Sequence, residues 1–221
     1  MNNIIHRINS HFFFLSLVYF IVGAVILILI CRGDAVLFLN KLHTPFWDQF
    51  FKYATHMGGG LFVVLVFILF LIFAPSYKTW VVASSFSLMG IISQLLKKQV
   101  FPSVGRPKEM FWMKIDQMNL VEGVKINADY SFPSGHTAAA FIIALMLAWH
   151  FKKVSLTYLF FGLALLVGIS RIYLFQHFFI DTYFGTLLSF LIGHIVVWFF
   201  ESKKWSNNKM AQKKIIDVFT K

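Results

Sequence analysis

Apolar runs of close to twenty residues, separated by short polar breaks, dominate the chain. The first runs from His11 or Phe12 to Ile30. About 20 residues of helix cross a hydrocarbon layer, and no small-x-small cleavage pattern follows, so this run is expected to stay in the mature protein. Between Cys31 and Gly60 the pattern is mixed. Thr44-Pro45 reads as an N-cap and first helical position, with Asp48 in the first turn. Phe46, Phe50, Phe51 and Ala54 then recur at helical spacing against Asp48, Gln49, Lys52 and His56, which predicts an amphipathic helix at the membrane interface. Leu61 to Ala74 is a second apolar run, stopped by Pro75-Ser76, and Thr79 to Leu96 a third, ended by Lys97-Lys98.

A long polar connection, Gln99 to Phe132, interrupts the series and holds two of the five prolines, with a third, Pro133, just after it. A loop of that length between membrane helices commonly carries function. Gly135 to Trp149, Val154 to Tyr173 and about Phe178 to Phe200 complete six runs. A basic tail, 201–221, follows, with an amphipathic turn expected around Ile215, Ile216, Val218 and Phe219. No internal repeat is evident, so residues 1–221 read as one all-α domain with six membrane spans.

Composition agrees. The chain is 58% hydrophobic and only 13% charged, against about 25% charged in soluble domains. Its formal charge of +11 suits anionic headgroups or an anionic substrate. Nucleic acid is a poor partner, because the basic residues are scattered between spans. The single cysteine, Cys31, cannot form an internal disulfide, and no His or Cys cluster has metal-ligand spacing. Six spans put both termini on one side. Trp80, Trp149 and Trp198 stand at span ends on that side, beside Lys78, Lys152 and Lys153, as an interfacial belt would. The termini are therefore expected in the cytoplasm.

On the opposite face the remaining polar residues gather. Lys97-Lys98 ends the third run, Arg106 lies in the loop, and Ser134-Gly135-His136 opens the fourth run behind Pro133. Ser170-Arg171 ends the fifth, and His177 opens the sixth with Asp181 one turn on. Charges at such depth are costly and mark sites. A lysine and two arginines neutralise a phosphate, and Ser134 and the Gly135 N–H add donors at a helix N-terminus. His177 is the expected nucleophile, with Asp181 at i+4 taking its other ring proton. His136 is the expected general acid. The cations stand where metal ions would otherwise stabilise charge, so no metal or other cofactor is required.

Arg106-Pro107, Pro133-Ser134-Gly135-His136 and Ser170-Arg171-x5-His177-x3-Asp181 resemble the three signature motifs of the type-2 phosphatidic acid phosphatases, over roughly residues 55–200. The resemblance implies a six-helix membrane fold and a phosphohistidine intermediate on His177; a bacterial inner membrane, with the site at its outer, periplasmic face, is the expected location. It also implies metal-independent hydrolysis of a lipid phosphate or diphosphate. Candidate substrates are undecaprenyl pyrophosphate, phosphatidylglycerophosphate, phosphatidic acid and lipid A phosphate. The family's first motif has Lys, six residues, then Arg-Pro; here Gln99 holds that lysine position, and the role is carried to Lys98, with Lys97 as substitute. A lipid phosphotransferase is the near alternative. A transporter or flippase is the distant one, and would place charges at several depths rather than at one face. Oligomeric state is not legible.

Overall fold

The computed structural model of the chain describes residues 9–214. Arg7 and the turn expected around Ile215, Ile216, Val218 and Phe219 lie outside the described residues. The described residues form helices and loops. The principal helices are α1 (Ser10–Leu29), α2 (Asp34–Asn40), α3 (Pro45–Ala54), α4 (Gly60–Phe73), α5 (Ser76–Leu95), α6 (Gly135–Phe151), α7 (Val154–Tyr173) and α8 (Phe179–Ser202).

Each of the six expected runs is helical. Length and apolarity alone admit fewer spans: α1, α5 with its extension to Val100, α7 and α8, or five when α3 and α4 count as one broken span bent by 50°. The break falls at Gly58-Gly59-Gly60, where a 3₁₀ turn, Thr55–Gly58, ends and α4 begins. At 14 residues α4 is short of the about 20 that cross hydrocarbon upright, and α6 has 17. Thr44 caps α3 as the sequence predicts, its Oγ1 accepting from Trp47 N at 3.3 Å. Helix α2 was not foreseen, since its seven residues are too few to show a period.

Helix α6 is the centre of the bundle. From Thr137 to Met146 every residue is buried, and Ala138, Ala139, Ala140, Ala144 and Ala148 let neighbours approach closely. A helix apolar on all sides belongs inside. α7, α8 and α5 pack around it, and α1 lies outside, mostly uncovered. Asn9 fastens α1, donating from Nδ2 to Ala148 O (3.1 Å) and Thr157 Oγ1 (2.8 Å). At the terminal end the tail turns back: Lys213 O and Ala211 O accept from Ser76 N and Tyr77 N, satisfying N–H groups that the start of α5 leaves open.

The long connection is a folded roof. It contains a helical turn at Pro107–Met110 and a 3₁₀ segment at Trp112–Gln117. Phe111, Ile115, Met118 and Ile126 pack on Val36, Ile172, Phe175 and Phe178, while Met110, Trp112 and Met113 stay exposed. Asn40 and Asn119 exchange three hydrogen bonds of 2.8–3.1 Å, and Lys52 donates to Glu122 O at 2.7 Å. The roof is thereby tied to α2 and α3.

Two glycines bring backbones together below it. A Cβ at Gly185 would stand 2.7 Å from Ser134 O, and one at Gly58 would run into His136 O. The broken span can therefore touch the start of α6 only with glycine there. Gly58→Ala is expected to destabilise the fold by the roughly 1–3 kcal/mol typical of overpacking, read as a lower thermal midpoint in detergent; an unchanged midpoint would show that the contact yields freely.

Candidate active site

The start of α6, the end of α7, the start of α8 and the roof meet at one end of the bundle. Ser134 caps α6, its Oγ accepting from Thr137 Oγ1 at 2.9 Å and Thr137 N at 3.4 Å; its own O–H remains a donor. Gly135 and His136 follow, half-buried. The peptide between Phe132 and Pro133 is cis, and Ser134 N donates to Asp181 O at 2.9 Å, joining α6 to α8.

After α7 the chain reverses through Phe175, whose φ is 59°. Gln176 N and His177 N both donate back to Arg171 O, at 3.0 and 3.1 Å, which sets the histidine over the arginine. His177 is 1% exposed. Its Nδ1 lies 3.3 Å from Asp181 Oδ2 and 3.5 Å from Ser131 Oγ. Asp181 Oδ2 also accepts from Phe178 N at 2.9 Å and from the Ser131 hydroxyl in a short hydrogen bond. With a carboxylate at Nδ1, the ring proton belongs on Nδ1 and the lone pair on Nε2. That is the tautomer a nucleophile needs. Asp181 Oδ1 is buried with no protein partner.

The cations are held unequally. Arg106 donates from Nε to Asp129 O (2.8 Å) and from Nη1 to Gln176 O (3.0 Å) and Gln176 Oε1 (3.2 Å). Its Nη2 reaches Tyr130 O at 3.5 Å. Arg171 donates from Nη1 to Thr55 Oγ1 at 2.8 Å and from Nη2 to Gln176 Oε1 at 3.4 Å, while its Nε is buried without a protein acceptor. Burial first, then the positive charges of Arg171, Arg106 and Lys97, hold the His177 imidazole well below the ordinary histidine pKa. Burial also lowers Arg106, opposed by Asp181 and Asp129, but a guanidinium stays charged at any working pH.

The two lysines at the end of α5 are placed differently. Lys97, not Lys98, reaches the site: its Nζ donates to Tyr130 O at 3.3 Å and its charge is felt at His177, whereas Lys98 is exposed. Val81, Ser85, Met89 and Ser93 form the buried stripe of α5 at i+4 spacing, and Lys97 is its next member. Lys98 leaves the axis about 100° away. The following turn, Leu96–Val100, is π-helical, closed by Phe101 N donating to Leu96 O at 2.8 Å, and takes up the longer spacer to Arg106. The other expected residues, His136, His177, Asp181, Arg106, Ser134, Gly135 and Arg171, come together. Three further residues complete the group. Ser131 stands three positions before Ser134, and Gln176 is a polar residue just before His177 in an apolar stretch. Thr55 follows Phe51 and Ala54 on the buried side of its helix.

The model for the PAP2 superfamily matches residues 78–205. That is more than half the chain, which belongs to this superfamily. It is similar to the lipid A 4'-phosphatase of Porphyromonas gingivalis, 26% identical over 183 residues, covering 80% of this chain and 77% of the relative. Among solved structures it resembles Aquifex aeolicus LpxE, at 28% identity and a TM-score of 0.65, over 75% of this chain and 94% of the other. A transmembrane PAP2-type phosphatidylglycerolphosphate phosphatase from Bacillus subtilis shares the fold, with a TM-score of 0.60 at 22% identity, over 85% and 94%. With its apolar helices and this kinship, the chain is an integral membrane protein.

The neutral His177 gives a signed pH dependence. Above the unfolded value of about 6.5, folded and unfolded imidazoles are both neutral and the group contributes no slope. Below it the unfolded ring binds a proton that the folded ring refuses, so stability falls as pH drops from the unfolded toward the folded value. The slope from this group is about 1.4 kcal/mol per pH unit. Between about pH 7.5 and pH 5, wild-type protein is expected to lose more thermal stability than His177→Asn protein; equal losses would mean that His177 is not held neutral.

Proposed function

We propose that this chain hydrolyses the phosphate of a membrane lipid through a phosphohistidine on His177. That it is a lipid phosphatase, a phosphoric ester hydrolase, follows from its family and relatives; the mechanism, the residue roles and the topology are our reading. The carrying observation is the His177–Asp181 pair, with Nδ1 engaged by the carboxylate and Nε2 left for attack beneath Arg171, Lys97 and His136.

The lipid phosphate would sit at the N-terminus of α6, where Gly135 N–H, the Ser134 hydroxyl, Arg171 and Lys97 take its oxygens. His177 Nε2 attacks phosphorus as the bond to the lipid oxygen breaks, and His136 supplies the proton that the leaving oxygen needs. Water then attacks the phosphohistidine and gives a proton to His136. Inorganic phosphate leaves, and both histidines return to their starting forms. Asp181 keeps the His177 tautomer and stabilises its positive charge in the intermediate. Arg106, Arg171 and Lys97 lower the barrier by meeting charge with fixed charge. This cationic set supports a reaction that proceeds with EDTA present.

Six crossings are proposed, with α3 lying in the interface, α4 completing a short span, both termini cytoplasmic, and the site at the outer face of a bacterial inner membrane. The tryptophans and basic turns at the terminal end support this orientation. The substrate class is a lipid phosphate whose headgroup lies at that outer face.

Phosphate release from a panel of lipid phosphates, by purified protein in detergent with EDTA, tests the reading. His177→Ala is expected to abolish turnover, and Asp181→Asn to reduce it strongly. His136→Ala should cost roughly 10²–10⁴-fold, most with poor leaving groups. Lys97→Ala should lose about 2.7–4 kcal/mol of transition-state stabilisation, the cost of one preorganised donor, with Lys98→Ala near wild type. Full activity in His177→Ala protein would sink the mechanism.

Orientation has its own test. In a Cys31→Ser background, cysteines at Ser103 or Lys125 should react with an impermeant thiol reagent in intact cells, and cysteines at Ser155 or Ser206 should not. The reverse pattern would place the site in the cytoplasm.

A further inference from the structure

Among the described residues, Gln176 is the neutral side chain that accepts from both buried arginines. It is 3% exposed. Its Oε1 accepts from Arg106 Nη1 at 3.2 Å and from Arg171 Nη2 at 3.4 Å, and its own carbonyl takes a further bond from Arg106 Nη1 at 3.0 Å. Its Nε2 donates to Lys125 O of the roof at 2.8 Å. This network leaves no ambiguity in the amide: the oxygen must face the two guanidinium groups, because the nitrogen has nothing to offer a donor.

A donor count shows what the residue does. A guanidinium has five N–H groups. On Arg106, Nε and both hydrogens of Nη1 have protein acceptors, and Nη2 leans on Tyr130 O. Arg106 is thus almost saturated by the protein. On Arg171, one hydrogen of Nη1 goes to Thr55, one of Nη2 to Gln176, and Nε has no protein acceptor although it is buried. A buried charged donor without an acceptor is costly, and it stands on the residue whose carbonyl holds His177 in place.

We propose that Gln176 is a positioning residue that divides the work of the two arginines: its amide oxygen pins Arg106 as fixed charge and turns the free Nε edge of Arg171 toward the phosphate. A carboxylate there would accept the same hydrogen bonds but cancel one of the charges meant for the substrate. An aliphatic side chain would leave two guanidinium groups facing each other with no acceptor between them. The amide meets both demands. The proposal rests on the phosphatase reading for the identity of the anion.

The test uses orthovanadate and inorganic phosphate as probes on full-length protein in detergent, read both as inhibition of phosphate release and as thermal stabilisation. Gln176→Leu is expected to weaken orthovanadate and raise KM by roughly tenfold to a hundredfold, the range for a hydrogen bond to a charged group, while kcat falls less. Gln176→Glu should weaken both probes at neutral pH. The two guanidinium groups beside it hold this carboxylate ionised, so the deficit should persist across the working pH range. Gln176→Glu keeps the shape and the hydrogen bonds of the amide, so weaker probe binding with an unchanged thermal midpoint in the absence of anion is a signature that a merely structural side chain would not give, and it decides the matter even where Gln176→Leu fails to fold. Folded Gln176→Leu with unchanged orthovanadate inhibition, or Gln176→Glu protein that binds both probes like wild type, would overturn the proposal. Wild-type protein that releases no phosphate from any lipid phosphate would instead overturn the functional reading, and the thermal shifts with inorganic phosphate would still report on Gln176.

Discussion

Two arginines buried within reach of one glutamine oxygen are the constraint that shapes this end of the molecule. Like charges taken out of water repel, and each must find acceptors in protein. The acceptors come from distant parts of the chain. Asp129 and Tyr130 carbonyls from the roof hold Arg106, the Thr55 hydroxyl from the broken helix holds Arg171, and the reversed chain after α7 places Gln176 between them. The roof has to be long because it must pass over the site and still return carbonyls to it. The helix has to break because Thr55 must reach Arg171 while Gly58 touches the start of α6. Positive charge is concentrated here at a cost that the fold bears, and an anion is what would relieve it.

Around this charge the histidine pair is rigid. Asp181 caps its own helix through Phe178 N, accepts from Ser131, and faces His177 Nδ1. A carboxylate fixed by three donors at a helix N-terminus is poorly placed to move, so the ring it orients is fixed as well. The His177 ring is thus set by the same contacts that join α8 to α6, so its orientation and the packing cannot be separated at Asp181.

Much of this was legible in the sequence. The apolar runs gave the helices within two or three residues at most ends, because strong hydrophobicity over about twenty positions overrides other preferences. Ser134, His136, Arg171, His177 and Asp181 stood out as polar residues at the ends of apolar runs. Lys98 was chosen over Lys97 by counting from Arg106, and counting assumes a regular helix; the π turn at Leu96–Val100 breaks that assumption, while the stripe through Ser85, Met89 and Ser93 pointed to Lys97 all along. Gln176 and Thr55 were missed for a different reason. Their importance lies in contacts across 70 and 116 positions of sequence, which no local period encodes. The count of crossings is less directly written, since α4 and α6 are helical yet shorter than an upright span.

The ties between Asn40 and Asn119, and between Thr55 and Arg171, have an architectural consequence. The superfamily model spans residues 78–205 and so takes in both histidines and their cations, while Asn40 and Thr55, which anchor the roof and one arginine, precede it. Substitutions in that first third could therefore alter what the roof admits and how firmly Arg171 is braced while every residue of the matched segment stays the same. Tuning of this end of the molecule and its composition would in this way be written into different stretches of one chain.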